Sequence, residues 1–307
     1  MIVTVAAGPY AHLRELADGR GVDGIEVRRE VLEPGRIFPR MLREGAWDVA
    51  EMSLATAYIL AGEGDGRFVP LPVFPSRTFR HSSLYVAADS RLSGAAGLRG
   101  ARIGVLRYAM TTAVWVREML SRQYSVPLES LRWVVGESSP HPASVSVEVV
   151  GGAGALEAMA VSGQIDCLVS GRTPAAVRTG RLRRLIPDFL AEEKAYFNAT
   201  GAFPIMHVMV AKRELLEARA DVARRLLSRF EEAKKHAEEG LANFDLSIYP
   251  LPWMPAYVED ARRAMPAGLW PYGIEPNRST LTAFANALAA QALVGRFLPP
   301  EEVFARV

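Results

Sequence analysis

Between Val73 and Asp89 the chain reads "VFPSRTFRHSSLYVAAD", which sets Arg77, Arg80 and His81 between two apolar runs. An arginine side chain is a planar, permanently charged fork that matches a carboxylate. A histidine titrates near neutrality and can carry a proton. Together these residue types suit proton chemistry on a carboxylate, and Ser82 adds a hydroxyl donor. In an extended segment Arg77 and His81 would share a face and Arg80 would take the other, so the three serve one ligand only if the chain bends there. The alternative is that one arginine pairs with a carboxylate of the protein and that His81 bonds to backbone.

Other positions offer matching chemistry. His207, in "PIMHVMV", is either a core histidine or a second proton donor. Ser53, Thr111 and Thr112 stand where helices should begin, and so either cap them or present an anion site. Tyr108 could stack on an aromatic ring, and Arg172 follows a β-type run where α/β folds place ligand groups. His12, His141 and His236 have surface contexts. Cys167 is the only cysteine, which excludes an internal disulfide, and its apolar setting suggests a core residue. "VVGGAGALEAMA" matches a dinucleotide fingerprint poorly, because Glu157 stands where a small residue is needed. No HExxH, GxSxG or P-loop is present, and no organic cofactor is expected. A divalent metal on His81, His207 or Glu51 stays possible, although no spacing demands one.

To position these residues, the sequence supplies alternating β-type and helical segments, the pattern of an α/β fold with largely parallel sheets. A helix near Ala11 to Asp18, one near Ile37 to Glu44, and "WDVAEMS" belong to a first series. A second runs from "ARIGVL" through a helix starting at Thr111 to "DCLVSG". Met41, Gly45 and Asp48 recur as Met159, Gly163 and Asp166, each displaced by 118 residues. Two related lobes are expected: residues 1–85 with 205–307, and 86–204. Each would hold a mixed, mostly parallel sheet flanked by helices, with two hinge crossings and a ligand cleft between the lobes. A long helix after residue 220 should bury Val222, Leu226, Phe230, Ala233, Ala237 and Leu241 and pair Glu231 with Lys235 outside. The prolines of "YPLPWMPAYVEDARRAMPAGLWPYGIEP" predict irregular structure, and a helix should run from Arg278 to about Gly295.

The 307 residues carry 36 Lys and Arg against 34 Asp and Glu, interspersed, so the basic stripe of a nucleic-acid binder is missing. No apolar stretch approaches the roughly 20 residues of a membrane span. The amino terminus enters a β-type run without a leader pattern, which predicts a soluble cytoplasmic protein, or a periplasmic one if a leader has been lost. The expected partner is a small aromatic or dicarboxylate ligand, with homo-oligomerisation open.

"LPVFPSRTFRHSSLYV" resembles a stretch of the 4,5-dihydroxyphthalate decarboxylase family, as do "GARIGVLRYAMTTAVWVREML", "GQIDCLVSGRTP" and "TGAFPIMHVMV". Where the family pattern reads PEYQMTA this chain has LRYAMTT, with Arg107 and Ala109 at the departing positions. The resemblance implies a type II periplasmic-binding-protein-like fold and an enzyme that removes CO2 from an aromatic dicarboxylate. The expected activity is therefore a cofactor-independent decarboxylase acting on a small aromatic di-acid. The alternative is a transporter's solute-binding protein that binds such a ligand without chemistry.

Overall fold

The structure is a computed structural model that describes residues 1–17, 24–219, 221–243, 245 and 249–306. It divides into two compact units: Met1–Arg77, His207–Leu281 and Pro299–Val307 form the first, and Thr78–Met206 with Thr282–Leu298 the second. The chain passes between the units four times, where the sequence suggested two, because residues 282–298 belong to the second unit.

The first unit begins with strands β1 (Ile2–Ala7), β2 (Glu26–Val31), β3 (Val49–Ser53), β4 (Phe68–Pro70) and β5 (Ser76–Arg77). The second holds β6 (Leu84–Ala87), β7 (Arg102–Val105), β8 (Arg132–Val135), β9 (Val147–Val149), β10 (Cys167–Val169) and β11 (Leu182–Arg184). β12 (Ile205–Lys212) then joins the first sheet.

The sheet orders are β2-β1-β3-β12-β4, with β5 also on β12, and β11-β6-β10-β7-β8-β9. Read from the parallel side, β8-β7-β10-β6-β11 repeats β2-β1-β3-β12-β4. In both, the third strand pairs parallel on one side and antiparallel on the other. The repeated aspartates have the same task. Asp48 Oδ2 accepts the backbone N–H and hydroxyl of Thr4 on β1, at 2.8 and 2.7 Å. Asp166 Oδ2 accepts the N–H of Arg102 on β7 at 2.7 Å. Gly45 and Gly163 both turn the chain at positive φ, 56° and 73°, which a side chain would disfavour.

Helix Pro34–Glu44 covers the first sheet with Ile37 and Met41 fully buried, and its proline start costs no hydrogen bond. The long helix Val222–Ala242 buries Val222, Leu226 and Phe230, as its periodicity predicts. Its charge pairs differ from the expected Glu231–Lys235: Glu231 pairs with the buried Lys234 at 2.6 Å, and the exposed Lys235 reaches Glu239 at 3.9 Å. In the second unit Val134, Leu156, Ile165 and Leu168 centre the core.

Three local expectations need correction. Ala11–Ala17 is a 3-10 helix, and Asp18 lies outside the described residues. The proline-rich region contains the helix Met254–Ala264, because Pro255 sits in the first turn, where no intrahelical N–H is needed. The later helix ends at Ala290. No described helix is long and apolar enough to cross a membrane.

Candidate functional site

In each unit the strand order reverses between two parallel neighbours, β1 and β3 in the first, β7 and β10 in the second. Open α/β sheets hold ligands beyond the carboxyl ends of such strands. Each unit places polar groups there.

In the first unit Glu51 lies in the middle of β3 and is fully buried. Its Oε1 accepts the Tyr10 hydroxyl at 2.6 Å and the Nδ1 of His207 at 2.5 Å, and its Oε2 accepts the Gly8 N–H at 2.8 Å. His207 on β12 is in register with Ser53 and so is the diagonal neighbour of Glu51 on one sheet face. Burial alone would raise the Glu51 carboxyl. The bonds from His207, Tyr10 and Gly8 outweigh it and hold the group below its ordinary value. Burial and the adjacent Glu51 push the Tyr10 hydroxyl far up, so it stays protonated. With Nδ1 committed to Glu51, Nε2 is the other ring nitrogen of His207; the ring is edge-on to Phe38 at 5.1 Å and its side chain is 22% exposed.

The loop after β1 is braced from behind. Arg29 donates to the carbonyl of Gly8 at 2.7 Å and to that of Leu13. A β-carbon on Gly8 would lie 2.7 Å from the Tyr10 ring, so this close approach requires glycine. His12 is half-buried between Tyr10 and Trp270, at ring distances of 5.5 and 5.3 Å. Its Nε2 is buried without a partner, and burial, then the Lys234 charge, lowers its pKa to about 4. This corrects its expected surface placement. Ser53 caps helix Leu54–Gly62 through the Thr56 N–H at 3.5 Å.

In the second unit helix Thr111–Arg122 starts just past β7, with Thr111 and Thr112 buried in its first turn. Met110, not a threonine, occupies the cap position, and its carbonyl accepts the Ala113 and Val114 N–H groups at 2.9 and 3.1 Å. Gly171, the repeat counterpart of Ser53, follows β10. A β-carbon there would lie 3.4 Å from Arg80 Nη1 and 3.8 Å from Thr112 Oγ1, so the guanidinium occupies the space that a side chain would take. Burial lowers Arg80 to about 10, its Nε donates to Met206 Sδ at 3.0 Å, and no described carboxylate pairs with it.

The expected trio is therefore divided. Arg77 belongs to the first unit, is buried, and donates to Asn277 at 2.7 Å and to the Pro271 carbonyl at 3.3 Å. Arg80 and His81 belong to the second unit, and a 3-10 turn at His81–Ser83 bends the chain between them. His81 is 2% exposed, bonded through Nε2 to Gln123 at 2.7 Å and flanked by Tyr196 and Tyr124. Burial lowers its pKa. The Ser82 carbonyl accepts from Arg184 Nε at 3.4 Å.

Tyr108 does not offer a free face. It is 4% exposed, with the Arg117 guanidinium 3.9 Å over its ring and Trp133 edge-on at 5.5 Å. Arg172 is exposed just past β10, where its N–H and carbonyl bond Ser170. Of the departing positions, Arg107 bonds Glu137 at 2.8 Å and the Ala109 N–H bonds Ser139. Glu157 accepts the Ala176 N–H at 2.7 Å.

Among the described residues no group of three or more His, Cys, Asp or Glu gathers as a metal site. Both oxygens of Glu51 are already engaged by the protein. Cys167 is fully buried, its thiol pushed up to about 12. The sequence did not single out Tyr10, and it offered Glu51 only as a possible metal ligand and not as the partner of His207. For Glu51 the signal was present: an acid within the otherwise apolar strand "VAEMS".

No protein-family model matches the chain. It is 30% identical to the 4,5-dihydroxyphthalate decarboxylase of Comamonas testosteroni, over 98% of this chain and 96% of that protein. It is 33% identical to the protein of the same name from Pseudomonas putida, over 58% of this chain and 73% of that one. Among solved structures it resembles the periplasmic sulfonate-binding protein SsuA of Methylobacillus flagellatus KT, with a TM-score of 0.57 and 12% identity, over 99% of this chain and 91% of that one. The alkanesulfonate-binding protein SsuA of Xanthomonas axonopodis pv. citri gives 0.55 and 14%, over 100% and 98%. These likenesses show the type II periplasmic-binding-protein-like fold. The full-length relationship establishes that the chain belongs to the 4,5-dihydroxyphthalate decarboxylase family.

Proposed function

We propose that the chain is a carboxy-lyase acting on a small aromatic di-acid of the 4,5-dihydroxyphthalate type, and that His207 delivers the proton. The observation that carries this reading is the Glu51–His207 pair at a strand-order reversal in a chain of this family. In the reaction Nε2 of His207 protonates the ring carbon that bears the departing carboxylate. The carbon–carbon bond then breaks, its electron pair restores the aromatic ring, and CO2 leaves. Solvent returns the proton to the imidazole. Glu51, fixed by Tyr10 and Gly8, holds the ring in the orientation that presents Nε2. Within the second unit Arg80, beside Gly171 and Thr112, carries a charged fork suited to a carboxylate. His81, enclosed by Gln123 and two tyrosines, supports the turn that carries Arg80.

Incubation of the purified protein with 4,5-dihydroxyphthalate, with CO2 and protocatechuate measured, tests the proposal. Turnover supports it. Binding without product would favour the solute-binding alternative, and no turnover with this substrate or a panel of hydroxybenzoates would sink the assignment.

A further inference from the structure

Within the second unit the turn His81–Ser83 is closed by the Ser83 N–H on the Arg80 carbonyl at 3.0 Å, and the Ser83 carbonyl accepts the Ser170 N–H at 3.0 Å. The turn is thus tied by backbone to the end of β10, where Arg80 Nη1 lies beside Gly171. The side chain at its head is His81. That ring is buried, with Tyr196 at 5.6 Å and Tyr124 at 6.3 Å, and its Nε2 meets Gln123 Oε1 at 2.7 Å. Helix Phe189–Thr200 packs on the same turn and brings Glu192 to Gln123. Gln123 Nε2 donates to Glu192 Oε2 at 2.8 Å and to the Glu192 carbonyl at 3.4 Å, and the Tyr124 hydroxyl donates to the same Oε2 at 3.1 Å.

These contacts leave one arrangement of protons. A backbone carbonyl only accepts, so Glu192 takes the amide N–H groups of Gln123 and turns its Oε1 toward the histidine. That oxygen only accepts as well, which puts the imidazole proton on Nε2. Nδ1 is buried without a partner, and a second proton there would leave a donor unsatisfied and a buried charge unpaired. We propose that Gln123, oriented by Glu192, is a positioning residue that fixes His81 as the neutral Nε2–H tautomer and, through its turn, holds the Arg80 fork at the end of β10. This rests on the carboxylate-binding reading of Arg80.

Nitrogen-15 NMR of the histidine rings reads the His81 tautomer in the wild type. The Nε2–H form supports the proposal, and an Nδ1–H or doubly protonated ring overturns it. Calorimetric titration with phthalate then follows the link to Arg80. His81→Phe, which keeps a ring but no donor, and Gln123→Leu should each lose about tenfold in affinity, the worth of one hydrogen bond. The double variant should lose no more than either, because both break the same link. His81→Gln, whose amide nitrogen can stand in for Nε2, should bind nearly as the wild type does. Additive losses, an unchanged affinity in His81→Phe, or no rescue by His81→Gln overturns the positioning role and leaves the carboxylate reading of Arg80 intact. Should a variant fold poorly, the wild-type tautomer still decides the role of Gln123. Failure of phthalate to bind the wild type sinks the reading of Arg80 instead.

Discussion

His207 donates its Nδ1 proton to Glu51 Oε1 at 2.5 Å across two antiparallel strands, and every other polar contact of Glu51 serves to fix that acceptor. On the proposed reading, His207 does the chemistry and Glu51, Tyr10 and Gly8 aim it. Replacing His207 with Gln should lower kcat roughly 10²- to 10⁴-fold, the usual contribution of a positioned acid. Glu51→Gln keeps the shape but loses the ionised acceptor, so kcat should fall by about 10²-fold with KM little changed. Steady-state kinetics on 4,5-dihydroxyphthalate checks both. An active His207→Gln variant would remove the imidazole from the mechanism.

The fold was legible because its signals are local and repeated. The Met–Gly–Asp spacing announced two related units, and both glycines and both aspartates perform matching tasks. The site was only partly legible. Arg77, Arg80 and His81 are close in sequence, but a 3-10 turn and a unit boundary after Arg77 assign them different surroundings, and neither is encoded in residue type. Tyr10 and Glu51 are 41 residues apart and meet only through strand order. Parity along one strand cannot show that. Tyr108 looked like a stacking platform because its covering cation, Arg117, lies nine residues further on.

His12 makes a pH-dependent contribution to stability. Its folded pKa, about 4, lies below the ordinary 6.5, chiefly because burial disfavours the charged ring. Between these values the unfolded chain binds the proton more readily, so the contribution is complete above about pH 6.5 and is lost as pH falls toward 4. From pH 7 to 5 this amounts to about 2 kcal/mol. Glu51, held below its ordinary value, acts in a more acid window: its contribution is present above the unfolded carboxyl value of about 4.3 and is lost only as pH falls through the folded one. Urea midpoints of the wild type and His12→Phe at the two pH values isolate the His12 effect. The gap between the proteins should narrow or reverse at pH 5, and a constant gap would contradict the argument.

Gly8→Ala tests the support behind Glu51. The new β-carbon would fall 2.7 Å from Tyr10 Cε2 and 3.3 Å from Glu51 Oε2, so the Tyr10 ring must move. Its hydroxyl bond to Glu51 would then lengthen or break. Turnover should drop by about tenfold or more, with a stability loss of about 1–3 kcal/mol from overpacking. Activity and thermal denaturation measured together decide it, since unchanged kinetics in a destabilised variant would confine Gly8 to packing.

Arg80 should show stability and function pulling in opposite directions. Its guanidinium is partly buried with Met206 Sδ as a hydrogen-bond partner, so the folded protein bears a desolvation cost that no ion pair offsets among the described residues. Arg80→Met keeps the length and apolar bulk and removes the charge. The variant should be as stable as the wild type or more so in urea. A charge-assisted, two-pronged bond to a carboxylate is worth roughly 1.5–3 kcal/mol, so its loss should weaken di-acid binding by about 10- to 100-fold. Mono-acid and di-acid affinities measured on both proteins give the sharper test. If Arg80 holds the carboxylate that is retained, the preference for the di-acid should collapse in the variant. An unaltered preference would place that carboxylate on another group.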